Sequence, residues 1–156
     1  VAKPQDESRK IIARNRKAFH DFFIYEQIEA GIVLTGSEVK SLRDGKVVLE
    51  ESYARIDGGE ARLLGVSIPV YANAGYATHV PDRPRRLLLH RREIKKIEEK
   101  TETERLTIVP LELYWKRGFC KVLLGIAKGK KLFDKREVLK EKADRRSIER
   151  ALRGRE

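Results

Sequence analysis

Methionine is missing from this 156-residue chain, and cysteine and tryptophan each occur once. The lone Cys120 excludes an internal disulfide framework and a metal site built from cysteines. Set between Phe119 and Lys121 in an apolar run, it reads as a buried, inert thiol. The three histidines, His20, His79 and His90, are too widely spaced for a local metal signature; they read as surface or RNA-contacting side chains. No apolar run approaches the ~18 residues of a membrane span. The first 18 residues are polar and basic, with no secretory hydrophobic region. With no methionine, Val1 is expected to follow a removed or trimmed start. These absences predict a soluble, cytoplasmic chain with no membrane partner.

Catalytic groupings are equally scarce. Glu50–Glu51 and Glu98–Glu99 are sequence neighbours, so their side chains diverge rather than converge on a bond. The stretch GIAKGKK (Gly125–Lys131) has three residues between its glycines where a phosphate-binding loop needs four, and Lys131 where Ser or Thr should hold magnesium. The expectation is a protein that is not an enzyme, with no catalytic residues, no metal, no cofactor and no small-molecule substrate.

What is abundant is positive charge. Lys and Arg number 35 against 24 acids, a net +11, which points to a polyanionic partner. Residues 1–17 carry six bases and two acids, and residues 128–156 carry twelve bases and six acids. The stretch between them is nearly neutral. Basic ends can be simply solvated, but two of them on a nearly neutral middle point to a globular body with arms that lie on phosphate. That reading divides the chain into a basic N-terminal arm (1–17), an RNA-binding body (18–127) and a basic tail (128–156).

The body is punctuated like a β protein. Phe19–Leu34 is rich in aromatic and β-branched residues, and Gly31, Gly65 and Gly125 interrupt apolar stretches, as bulges, bends and close backbone approaches require. Tyr53–Leu64 reads as a hairpin turning at Asp57-Gly58-Gly59. Leu106–Ala127 reads as a second hairpin turning at Gly118. In it Val109, Leu111, Leu113 and Trp115 alternate with Pro110, Glu112 and Tyr114, and Pro110 implies an edge position or a bulge. Ser37 is the expected cap of a helix that packs through Val39 and Leu42 and stops at Gly45. A second helix is expected over about His90–Thr103, with Ile94 and Ile97 inward. Short strands, turn signals and few helices predict a mainly β chain: a small OB-like barrel with marginal helices.

The tail is built of helix formers with a thin apolar stripe that cannot order itself alone. It is expected to be disordered when free and helical on a partner, the alternative being a helix docked on its own barrel. Lys116, Arg117 and Lys121 flank Trp115 and Phe119. That patch suits phosphate contact and base stacking, or equally consists of core aromatics beside a solvated turn. Arg83, Arg85, Arg86, Arg91 and Arg92 form a second candidate basic face. The residues by themselves therefore indicate an RNA-binding barrel with a basic tail.

The stretch EAGIVLTGSEVKSLRDGK (Glu29–Lys46) resembles the signature of the SsrA-binding protein (SmpB) family, bacterial partners of transfer-messenger RNA in ribosome rescue. NRKAFHDFFI (Asn15–Ile24), DGGEARLLGVSI (Asp57–Ile68), RRLLLHRREI (Arg85–Ile94), TIVPLELYWKRGFCKVLLGIAKGKK (Thr107–Lys131) and DKRE (Asp134–Glu137) follow in the family's order and spacing. The resemblance implies an adaptor without catalytic activity in trans-translation. Its barrel would hold the tRNA-like domain of transfer-messenger RNA, standing in for a missing anticodon arm. Its tail would reach the small-subunit decoding centre and the empty mRNA channel of a stalled ribosome.

By motif, the resemblance makes Glu29, Leu88 and Lys121 RNA-facing, and His20, Gly31, Glu38, Lys40 and Arg43 further members of the body's RNA-binding set. Val39 and Leu42 are assigned to packing. In the tail, Gly129, Lys130, Lys131, Asp134, Lys135 and Arg136 match the family's ribosome-binding pattern, while Phe133 departs from it, standing where some members carry His. The loop 72–84 matches poorly and is assigned no role. Two other functions fit a small basic chain: a ribosomal or ribosome-assembly protein, and an RNA-processing enzyme using Glu29, Glu38 or Asp44 as metal ligands.

Overall fold

Alternating apolar and polar residues build long strands here, and positive-φ pairs turn them back. The computed structural model describes residues 9–70 and 79–130. In chain order these form β1 (Arg9–Arg14), α1 (Arg16–Asp21), β2 (Phe22–Ile32), α2 (Gly36–Arg43), β3 (Tyr53–Asp57), β4 (Glu60–Leu64), β5 (Arg85–Leu88), α3 (Arg91–Glu104), β6 (Thr107–Lys116) and β7 (Phe119–Gly129). The β3–β4 hairpin turns on Gly58 and Gly59, and β6–β7 on Arg117 and Gly118, all four with positive φ, the backbone twist that a two-residue hairpin needs.

All strand pairs are antiparallel, and the order β6-β3-β4-β5-β2-β7 closes because β7 also pairs with β6. The ring is narrow at two places, where β3 meets β6 through the single pair Ala54–Ile108 and β5 meets β2 at Gly31–Leu88 and Ile32–Leu87. The expected mainly β, OB-like barrel with marginal helices is what the chain forms. One edge of β6 is divided: β3 pairs at Ile108, and β1 pairs from Glu112 to Lys116. Arg9–Arg14 is therefore sheet and Arg16 begins α1, so the arm expected over 1–17 is built into the barrel from Arg9. Helix α1 spans the boundary between the expected arm and the strand-like run Phe19–Leu34, taking up Phe19–Asp21 of that run. Asn15 begins it by accepting from the Ala18 amide at 3.1 Å, while its own side chain donates to Pro110 O at 2.9 Å.

A bulge between Pro110 and Glu112 shifts the register of β6 against β7. Pro110 thus marks a bulge, as one of its two expected readings had it. The bulge also breaks the expected alternation. Ile108 and Leu113 point into the main core with Leu63, Leu87, Val122 and Leu124, while Val109 and Leu111 turn outward into a second cluster with Ala18 and Ala127. Gly125 makes room for this turn: a Cβ there would lie 2.9 Å from Leu111 Cδ1. Helix α1 covers that second cluster through Ala18, and so closes one end of the outer face of β2, β6 and β7.

Helix α2 starts two residues earlier than expected. Thr35, not Ser37, is the cap, and Glu38 completes a capping box by accepting from the Thr35 amide at 2.9 Å. Ser37 instead bonds His79 Nδ1 at 2.7 Å, and His79 Nε2 contacts Ile68 O at 2.7 Å. His79 is an internal fastening rather than a surface contact. Leu42 is buried and Val39 partly so. Helix α3 buries Ile97 as expected. No described helix is long and apolar enough to cross a membrane.

Candidate nucleic-acid interface

The end of the outer face left open by α1 carries a row of residues across four strands. Tyr114 on β6 pairs with Lys121 on β7, Lys121 with Gly31 on β2, and Gly31 with Leu88 on β5. Glu29, two residues along β2, projects from the same face. Sequence motifs far apart in the chain thus meet: Glu29, Gly31, Leu88 and Lys121 line one hollow, with Arg86 and His90 at its margin. Leu88 is 54% exposed despite being apolar. Gly31 is what lets it lie flat, since a Cβ there would sit 3.2 Å from Leu88 Cβ. An exposed leucine beside a lysine and a carboxylate offers apolar, cationic and acceptor contacts within one surface.

Glu29 is not free on this face. Tyr114 donates its hydroxyl to Oε2, and Lys116 Nζ lies 3.3 Å from the same oxygen. Partial burial pushes the Glu29 carboxyl up, but the bonds from Tyr114 and Lys116 and the charges of Lys116 and Lys121 outweigh it and hold it below the ordinary range. Tyr114 is wholly buried, and burial together with the Glu29 bond pushes its phenol well up. Glu29 therefore stays ionised and Tyr114 stays a donor.

Glu38 lies elsewhere and does something else. Its side chain is 0% exposed. Oε2 accepts from Arg85 Nε at 2.5 Å, and Oε1 from Arg83 Nη2 at 2.6 Å. Arg85, also 0% exposed, donates further to Val66 O and Pro81 O, each at 2.8 Å. Burial pushes the Glu38 carboxyl up, yet the Arg83 bond, the Thr35 amide and Arg85 bring it below the ordinary value. A carboxylate so enclosed has no surface to offer RNA. Glu38 is therefore corrected from RNA contact to structural anchor, and Arg85 leaves the second basic face with it. Arg86, Arg91 and Arg92 remain exposed.

The other expected residues are dispersed. Lys40 and Arg43 are exposed on α2, and Arg43 lines a separate hollow with Lys10 and Trp115. His20 stands out on α1, its Nδ1 2.8 Å from Asp21. Gly129 ends β7 beside α1, and Lys130 reaches Phe19 O at 3.3 Å and sits 5.3 Å from the Phe23 ring centre. The tail positions Lys131, Asp134, Lys135 and Arg136, and Phe133, lie outside the described residues, as does any expectation of disorder there; so does most of the loop 72–84. Of the aromatic pair flanked by Lys116 and Arg117, Phe119 is 69% exposed while Trp115 packs on the core. Cys120 is buried, which pushes its thiol up to about 12.

Sequence reasoning missed the partners of Glu29. The sequence pattern shows Tyr114 only as part of a polar strand face and Arg9 as part of an arm; the bulge and the β1–β6 pairing put Tyr114 on Glu29 and Arg9 over the Tyr114 ring. Among the described residues no three His, Cys, Asp or Glu side chains are grouped to hold a metal, so Glu29, Glu38 and Asp44 are not brought together as ligands.

Comparison with known proteins follows the same lines. The family model described as SmpB protein matches residues 12–154. An SsrA-binding protein of Shouchella clausii is 51% identical over 146 residues, covering 94% of each chain. That of Trichodesmium erythraeum is 49% identical over 154 residues, covering 98% of this chain and 99% of the other. A solved chain from "tmRNA-SmpB: a journey to the center of the bacterial ribosome" superposes with a TM-score of 0.64 at 49% identity, covering 76% of this chain and 83% of that one.

Proposed function

The chain belongs to the SmpB protein family, and from that premise we propose that it is the RNA-binding adaptor of trans-translation. It binds the tRNA-like domain of transfer-messenger RNA and delivers that RNA to stalled ribosomes, without chemistry of its own and in the compartment where ribosomes work, the cytoplasm. The observation that carries this reading is the meeting of Glu29, Gly31, Leu88 and Lys121 on one open face of the barrel.

The division of labour follows from the charge. Lys121 meets a backbone phosphate, Leu88 packs against a base or ribose, and Glu29 accepts from a base amine or a 2′-hydroxyl. None of these contacts needs a reacting group, so the face discriminates an RNA shape. The tail beyond Lys130, with its surplus of Lys and Arg, supplies the ribosome contact: it lies along ribosomal RNA phosphates in the decoding centre and mRNA channel. Lys131, Asp134, Lys135 and Arg136 set its register there. Gly129 and Lys130 lie beside α1, where Lys130 reaches Phe19 O.

One experiment tests both halves. Full-length protein, a chain ending at Lys130, and full-length Lys121→Ala are compared for binding to the tRNA-like domain and for rescue of stalled ribosomes in a reconstituted system. The shortened chain is expected to bind RNA as the full chain does and to fail in rescue. Lys121→Ala is expected to bind more weakly, with a salt dependence reduced by about one ion. Wild-type affinity and salt slope in Lys121→Ala would remove Lys121 from the interface, and rescue by the shortened chain would refute the tail's role.

A further inference from the structure

Glu29 poses a physical problem: an acid on a face that receives a polyanion binds only if its oxygens are aimed at donors. A glutamate has three rotatable bonds, and the charges of both Lys116 and Lys121 act on it. The structure around it is correspondingly specific. Tyr114 projects from the outer face of β6 yet is 0% exposed, because other side chains cover it. The Arg9 guanidinium stacks over its ring at 3.7 Å from the centre. Arg9 reaches that place through the β1–β6 pairing. Ile11 stands opposite Tyr114, so Arg9, two residues along the same face, is its diagonal neighbour. Arg9 Nη2 is pinned to Glu112 Oε2 at 2.6 Å, and Arg14 Nε lies 3.4 Å from Oε1 of the same glutamate. Arg9 Nε has no hydrogen-bond partner among the described residues. Ring stacking and Glu112, rather than full satisfaction of the guanidinium, therefore hold its orientation.

We propose that Arg9 and Tyr114 are positioning residues for RNA recognition. Stacked together, they hold the Tyr114 hydroxyl on Glu29 Oε2 and so present Oε1 to a donor of the RNA. The chain of contacts runs Glu112–Arg9–Tyr114–Glu29, from β6 through β1 and back across β6 to β2. Lys116 is 3.5 Å from Oε1, a loose contact that an incoming donor replaces. The class of group recognised is a neutral N–H or O–H, a base amine or 2′-hydroxyl, because a phosphate would be repelled. The clamp also gives β1 a part in the function, as the strand that orients the acid. The inference rests on the reading of Glu29 as an RNA contact.

The test is a double-mutant cycle on the full-length protein, with the tRNA-like domain of transfer-messenger RNA as probe. Tyr114→Phe keeps the buried ring and removes only the hydroxyl; Arg9→Gln removes the stacked cation. Glu29→Gln and Tyr114→Phe are each expected to weaken RNA binding on the order of tenfold, the weight of one charge-assisted hydrogen bond. The double variant should be no weaker than Glu29→Gln alone, and Arg9→Gln should be similarly non-additive with Glu29→Gln. Salt dependence should not change in Tyr114→Phe, since no phosphate contact is lost. A purely structural Tyr114 would lower the melting temperature and leave affinity of the folded fraction unchanged, which would overturn the proposal. So would full additivity of Tyr114→Phe and Arg9→Gln with Glu29→Gln. Wild-type binding by Glu29→Gln would instead overturn the underlying reading of Glu29.

Discussion

Two glutamates of the stretch Glu29–Lys46 are held in opposite ways. At the junction of α2 with β5, Glu38 is enclosed and each of its oxygens meets a guanidinium. On the open face, Glu29 is 37% exposed in its side chain and is held chiefly through one oxygen. The same carboxylate chemistry serves the fold in one place and leaves acceptor capacity for a partner in the other. What decides between them is which strand comes to rest against them. Arg85 on β5 arrives inside the barrel, whereas Leu88, on the same short strand, emerges beside Gly31. The interior pair thus also fixes where one edge of the proposed RNA face lies.

The sharpest way to break the comparison is to uncouple the buried pair. Glu38→Gln leaves Arg85 buried without its counter-charge, and the expected loss is ~3–5 kcal/mol in urea unfolding. Its pH dependence follows from the same geometry. The folded-state value of the Glu38 carboxyl lies below the ordinary one. Its stabilisation is therefore complete above the unfolded-state value of ~4.3 and is lost as pH falls through the folded-state value. Wild-type stability should decline through this acid range, and Glu38→Gln should decline less. Equal slopes for the two proteins would show that Glu38 is not ionised in the fold.

A smaller effect is expected on the open face. In Gly31→Ala the new Cβ meets Leu88 Cβ at 3.2 Å and Cδ1 at 3.3 Å, so the leucine must shift by a few tenths of an ångström. RNA affinity should fall several-fold, while stability changes by no more than ~1 kcal/mol. A large stability loss with unchanged binding would put Gly31 with Glu38 in the fold. Least of all is expected of Phe119→Ala. With Phe119 69% exposed, thermal unfolding should register ~0.5 kcal/mol or less. Any larger loss would mean that this ring packs on something in solution. A fall in RNA binding without loss of stability would extend the interface to the β6–β7 turn.

The legibility of this chain was uneven, and the reasons are local. Both hairpins were readable because their turns depend on adjacent residues with positive φ, such as Gly58 and Gly59. A small barrel is readable from the density of short strands between turn signals, but whether it closes or stays partly open is not; the β6–β7 pairing settles that. Two residues can cap α2 by sequence: Ser37 is nearer the apolar residues, but Thr35-x-x-Glu38 is a capping-box pattern and is the one the fold uses. Helix α1 is hard to read because it straddles the basic arm and the start of a strand-like aromatic run. It forms because Asn15 caps it and because Val109 and Leu111, turned outward by the bulge, need a cover.

Composition and local pattern by themselves determined the basic character, the turns, the strand-rich class and the family-like motifs, since each depends on residue types within a few positions of one another. Only the tertiary structure decided which of the motif residues face outward. Glu38 and Glu29 are both glutamates in one signature, and nothing local distinguishes them. Their fates depend on Arg85 and Tyr114, which lie far along the chain. The pairing of β1 with β6 and the single-residue bulge at Pro110–Glu112 are likewise long-range matters. A register shift of one residue turns side chains to the other face, and here it sends Leu113 into the main core and Tyr114 to the outer face beside Glu29.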